Sequence, residues 1–206
     1  MPVRVVLAED DPALRAGLRL LLEAGGRVEV VAEVDPGPKL PSLVRAQRPD
    51  VVLISDVSAL RGLVVGGLDG GPPVAVLASS VVDDDVTRAI DLGALGFLLA
   101  DAEPESLVRA VLDLAAGGVV FDPRVAALLL PRLRSNPLPD NELLHGLSTR
   151  ERQVLDLIAG GRSNGTIAAE LGLTEATVKS YVSTLLGKLG VRNRVQAALI
   201  VRQIRP

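Results

Sequence analysis

Residues 51–56 read VVLISD, four apolar residues that climb into a serine and an acid. An unbroken apolar run shows no alternation of faces, so it reads as a strand buried on both sides. The end of such a strand is a common place to present a reactive carboxylate. Side chains on a strand alternate, however, so Ser55 and Asp56 point to opposite faces and only one of them can serve a site at that edge.

Runs of the same kind recur on either side. VRVVLAE (3–9), VEVVAEV (28–34), PVAVLAS (73–79) and GFLLA (96–100) read as four more strands. Helix-like stretches separate them: PALRAGLRLLLEAGG (12–26), KLPSLVRAQRP (39–49), DDDVTRAIDLGA (83–94) and EPESLVRAVLDLAAGG (103–118). In the first of these Leu14, Leu18, Leu21 and Leu22 share one helical face, and paired glycines stop it. Pro104 stands in the first turn of the last. Alternating strands and helices predict an α/β unit with a five-stranded parallel sheet covered by helices. Residues 57–73, VSALRGLVVGGLDGGPP, hold five glycines, so the third helix is expected to be short, irregular or missing.

Residues 131–146 are rich in proline and polar residues and read as a linker. Beyond them only helices are expected. STRERQVLDLIAGG (148–161) opens on a capping box, Ser148 with Glu151 three residues on. SNGTIAAELG (163–172), TEATVKSYVSTLLGKLG (174–190) and RNRVQAALIVRQI (192–204) complete four helices. The division is therefore 1–130, a linker over 131–146, and 147–206.

Charge follows the same division. The net charge of −3 conceals −8 over residues 1–130 and +5 over 147–206, so any polyanion is expected on the rear unit. There is no Cys, which excludes disulfides and thiolate metal sites, and the lone His145 cannot supply a multi-histidine site. No stretch approaches a membrane span and the N-terminus is not a signal peptide, so a soluble cytoplasmic protein without cofactor is expected.

The rear stretches LSTRERQVL, SNGTIAAELGL and TVKSYVSTLLGKLGVRNRVQAA closely resemble the LuxR-type helix-turn-helix over about 55 residues. A short helix, a turn containing Gly172 and a second amphipathic helix form the geometry that lays a helix in the major groove. On that second helix Val178, Val182, Leu185, Leu186 and Leu189 form the inward face. The resemblance implies that Lys179, Ser180 and Ser183 meet base edges. It implies that Thr177, Asn164, Arg192 and Asn193 lie near phosphates, which position the helix without reading sequence. It also implies double-stranded DNA as partner, and part of the last helix can pair two copies.

With that rear unit, the front resembles the receiver of NarL/FixJ-type response regulators, a flavodoxin-like fold. A working receiver needs an acid pair for Mg²⁺, an Asp to accept phosphoryl, a hydroxyl and a Lys. Glu9 and Asp10 match the acid pair. The acceptor position holds Ser55, the hydroxyl position Ala78 and the Lys position Ala100. Asp56 and Ser79 each stand one residue late, on the wrong face of a strand. Phe97 matches the aromatic switch position and is expected to be plain core. Glu9 and Asp10, lacking the Lys, are weak metal candidates whose repulsion should raise one pKa.

The expectation is a DNA-binding transcriptional regulator without enzymatic activity, a homodimer with an atypical receiver. Control is expected to come from dimerisation, a small ligand or a partner protein rather than aspartyl phosphate. Two alternatives remain: an interaction module that sequesters another regulator, and a conventional receiver phosphorylated on Asp56.

Overall fold

The computed structural model describes residues 1–63, 71–128, 146–191 and 193–204; of residues 199 and 202–204 it describes the backbone alone. Residues 131–145 of the expected linker, His145 among them, and Arg192 lie outside the described residues. Strands β1 (Val3–Ala8), β2 (Val28–Val34), β3 (Val51–Ile54), β4 (Val74–Ala78), β5 (Gly96–Leu99) and β6 (Val120–Phe121) form one parallel sheet in the order β2-β1-β3-β4-β5-β6. Helices α1 (Pro12–Glu23), α2 (Leu40–Gln47), α3 (Asp83–Asp91) and α4 (Pro104–Ala115) supply the crossovers. All four residues of β3, and all four of β5, are buried, as the absence of alternation requires.

The sheet has a sixth strand that the sequence reading did not contain. It is two residues long and pairs Val120 with Gly96 and Phe121 with Phe97. Gly96 allows the close approach, because a Cβ there meets Ala75 Cβ at 2.8 Å and the Val120 carbonyl at 3.1 Å. The glycine-rich crossover after β3 begins as a 3₁₀ turn over Val57–Gly62, with Val57 and Leu60 buried; residues 64–70 lie outside the described part.

Residues 12–23 form a helix because Asp11 caps it, accepting from Ala13 N at 2.8 Å and Leu14 N at 3.1 Å, with Pro12 in its first turn. Its buried face is narrower than the sequence suggests. Leu18 and Leu22 are buried and Leu14 is half-buried, but Leu21 is 39% exposed. Leu20 is 72% exposed.

The C-terminal helices are α5 (Thr149–Ala159), α6 (Asn164–Leu171), α7 (Glu175–Leu189) and α8 (Arg194–Ile204). They enclose a separate core that includes Val154, Leu155, Ile167, Leu185 and Leu186. Val195, at the start of α8, packs instead into the core of the sheet.

Leu18→Ala is expected to cost roughly 2–5 kcal/mol, because the cavity it leaves is enclosed. Leu21→Ala is expected to cost at most about 1 kcal/mol. Urea denaturation followed by circular dichroism separates the two.

Candidate nucleic-acid interface and the acid pocket

The helical unit is fastened at its opening turn. Ser148 and Glu151 complete a reciprocal capping box at the start of α5. Glu151 Oε2 also accepts from Lys188 Nζ at 2.8 Å, which ties the start of α5 to the end of α7. Lys188 and the Ser148 amide hold the Glu151 carboxyl below its usual range. Between α6 and α7 the chain turns at Gly172, whose φ of +64° is the left-handed conformation a helix C-terminus requires. Thr174 then caps α7, accepting from Thr177 N at 3.1 Å.

Along α7, Val178, Leu185, Leu186 and Leu189 are buried, as read from sequence; Val182 is only half-buried. Lys179 and Ser180 are exposed, and Thr177 and Ser183 are half-buried. Ser180 Oγ donates back to the Ala176 carbonyl at 3.2 Å. Thr177 Oγ1 shares a hydrogen bond with Thr174 Oγ1 at 2.8 Å.

Asn164 and Asn193, both expected near phosphates, are not on an open surface here. Asn164 is 7% exposed and Asn193 fully buried. Asn193 Nδ2 donates to the Ile90 carbonyl of the receiver at 2.9 Å, while its Oδ1 accepts from Gln196 N at 2.9 Å. Asn164 Oδ1 accepts from Arg194 at 3.1 Å.

Arg194 is a residue the sequence reading passed over. It is 5% exposed, and its guanidinium donates to the Gly117 carbonyl of the receiver, to the Arg162 carbonyl and to Asn164. Burial pushes its pKa down to about 10, so it stays charged at neutral pH. Gly117 fits against Asn164 because it has no side chain: a Cβ there meets Asn164 Nδ2 at 2.5 Å, and its φ is +79°. A cavity of about 620 Å³ lies beside this junction, and Lys179, Ser183 and Val182 of α7 line it together with receiver residues.

The acid pocket is at the other end of the sheet, where the order changes at β1 and β3. Glu9 is 3% exposed and Oε1 accepts from Asp11 N at 3.0 Å; Asp10 is exposed. Glu9 has a raised pKa, chiefly through burial, with Asp10 a lesser contributor; charge repulsion alone is not the cause. Arg15 donates to the Glu9 backbone carbonyl at 2.6 Å and pairs with Asp35 at 2.7 Å. Arg124 bridges Asp101 and Asp122 and holds both carboxyls below their usual range.

Ser55, at the acceptor position, has a buried Oγ without a hydrogen-bond partner. Asp56 is exposed and caps the 3₁₀ turn, accepting from Ser58 N at 2.8 Å and from the Ser58 hydroxyl. Ala78 and Ala100 are both half-buried, joined by a backbone bond from Ala100 N to Ala78 O of 2.9 Å. Phe97 is core at 1% exposure. Among the described residues no three acidic side chains come together as a metal-binding group here; Glu9 accepts from the Asp11 amide, Asp56 caps its own turn, and Ser55 brings no charge.

Over residues 145–201 the chain matches the family described as bacterial regulatory proteins, luxR family. It is 34% identical to the nitrate/nitrite response regulator protein NarL of Escherichia coli K12 over 211 residues, covering 99% of this chain and 97% of that one. It is 36% identical to a nitrate/nitrite response regulator protein homolog of Haemophilus influenzae over 206 residues, covering 96% and 95%. The crystal structure of the response regulator ChrA of a heme-sensing two component system superposes with a TM-score of 0.52 at 34% identity, covering 99% and 98%. A parallel receiver sheet with a helix-turn-helix behind it defines a DNA-binding transcriptional regulator. The chain belongs to the NarL-type response regulators.

Two measurements follow from this geometry. Because Glu9 has a raised pKa, the folded chain binds its proton more tightly than the unfolded chain does. Its charge therefore subtracts from stability at neutral pH, and the loss disappears as pH falls below the ordinary 4.5. Glu9→Gln is expected to raise the thermal midpoint at pH 7 and to leave it unchanged below pH 4.5. Gly117→Ala is expected to part the two units, read as a larger radius of gyration by small-angle scattering with unchanged helicity.

Proposed function

We propose that the chain reads double-stranded DNA through Lys179, Ser180 and Ser183 of α7, as a cytoplasmic homodimer, and that its receiver governs this without aspartyl phosphate. The units are 1–130 and 147–206, joined over 131–146. The observation that carries the control half is the use of Asp56. Its carboxylate caps the turn at Ser58, while the acceptor position holds Ser55 and the positions for hydroxyl and cation hold alanines. A phosphoryl group brings about −1.5 to −2 charges at pH 7. Beside Glu9 and Asp10, among the described residues, Arg15 and Arg124 are already paired with other acids and leave no free cation to balance them.

The reading half rests on α7 itself. Lys179 is exposed, and a lysine in the major groove donates to guanine O6 or N7. Thr177 stands at the N-terminus of α7, where backbone amides favour a phosphate. With α7 against the receiver, Lys179 and Ser183 line the interdomain cavity, so a duplex is read only when the two units part.

Two experiments test this. Incubation with acetyl phosphate and Mg²⁺ is expected to add no mass; an added phosphoryl abolished by Asp56→Asn overturns the control reading. On a duplex selected from a random pool, binding is expected to weaken steeply with salt. Lys179→Ala is expected to weaken it about tenfold and to relax preference at one base pair. Equal binding by wild type and Lys179→Ala overturns the assignment of Lys179.

A further inference from the structure

The cavity between the receiver and α7 has the size and lining of a ligand site. Its volume of about 620 Å³ lies within the range of small-molecule pockets, roughly 300–1,000 Å³. It opens at the N-terminal edge of the sheet, on the residues that precede β3, β4 and β5, and so at the far end from the acid pocket. One wall is apolar, with Val44, Leu95 and Leu114 from the receiver facing Val182 and Leu186 from α7.

Its charged groups are mostly of one sign. Arg45 and Arg48 come from the receiver, Lys179 and Arg194 from the helical unit, and Asp50 is the one acid among the described lining residues. Asp50 is already engaged, accepting from Arg4 N at 2.8 Å. Among the described residues, Arg45, Arg48 and Lys179 make no ion pair, and Arg194 is bonded only to neutral oxygens. Unpaired cations around an apolar wall favour a molecule with an apolar body and one anionic group.

We infer that this cavity binds a small amphiphilic anion, with its apolar body between Leu114 and Val182 and its anionic group at Arg45 and Lys179. Such a molecule contacts both units at once, so it binds the closed arrangement better than the open one and shifts the population toward it. The binding rests on the cavity alone. The effect on DNA rests in addition on α7 being the reading helix.

The probe is anilinonaphthalene sulfonate, titrated into the full chain by fluorescence, with decanoate as competitor and decanol as its uncharged counterpart. One saturable site is expected, displaced by decanoate and far less by decanol. Arg45→Glu, an exposed position, is expected to weaken the probe at least tenfold, and Arg45→Lys to retain it. Ala115→Phe is expected to fill the cavity and abolish binding, with folding checked by circular dichroism. Unsaturable binding, or equal binding by wild type and Arg45→Glu, overturns the site. Decanoate is also expected to lower affinity for the selected duplex in wild type and not in Arg45→Glu. If the probe binds as expected and duplex affinity does not change, the regulatory half is overturned and the site stands. If no duplex binds at all, the DNA reading has failed, and the probe titration still decides the site.

Discussion

A buried guanidinium with no acid beside it among the described residues joins the two halves of this molecule. Removing a charge from water is costly, and Arg194 recovers that cost only through oxygens on both units. The arrangement works because of where those oxygens come from. The Gly117 carbonyl lies just past the end of α4, and the Arg162 carbonyl just past the end of α5. At the start of α6, Asn164 turns its Oδ1 toward the guanidinium as a third acceptor. Asn193 repeats the logic nearby, donating to the Ile90 carbonyl in the last turn of α3.

That junction fixes where the helical unit sits against the receiver. Arg194 and Asn193 stand at the start of α8, so the receiver grips the helical unit at the point where the chain leaves α7. Gly117 is the tight point, since any side chain there collides with Asn164. With the junction made, α7 presents Lys179 and Ser183 to the receiver across a cavity rather than to solvent alone. A contact built from neutral carbonyls is directional and short in range, so a small displacement removes most of it. The closed arrangement is therefore well suited to being populated or emptied by modest free energies.

The sequence carried most of this fold in its periodicities. Fully apolar runs marked strands because both faces of the sheet are covered, and Ser148 marked a helix start because it caps one, whereas the Asp11 cap shows only in the structure. Leu21 was misplaced because helical spacing gives a face but not its width, and α1 buries only a narrow stripe. β6 was invisible because two residues carry no pattern. Asp56 was legible as one residue late, but not as a cap, since that depends on the turn that Ser58 closes. The resemblance places Asn164 and Asn193 near phosphates, and nothing in the sequence shows that the receiver covers them in this arrangement. A polar side chain at a junction looks, in sequence, like one at an interface with DNA. Arg194 carries no signal of its own in the sequence, and only the carbonyls around it assign its place.

The two ends of the sheet differ in how they treat charge, and the difference bears on control. At the acid pocket, burial raises the Glu9 pKa, and the arginines nearby are bound elsewhere, Arg15 to Asp35 and Arg124 to Asp101 and Asp122. Adding negative charge there works against the existing field. At the opposite edge, Arg45, Arg48 and Lys179 stand around an apolar wall without ion pairs among the described residues, and Arg194 is buried next to them. Adding negative charge there relieves repulsion among cations. A protein of this architecture that responds to an anion at all gains more free energy from taking it at the second place than at the first. That place is also where the helical unit is seated, so an anion bound there touches α7 directly and needs no signal carried across the sheet.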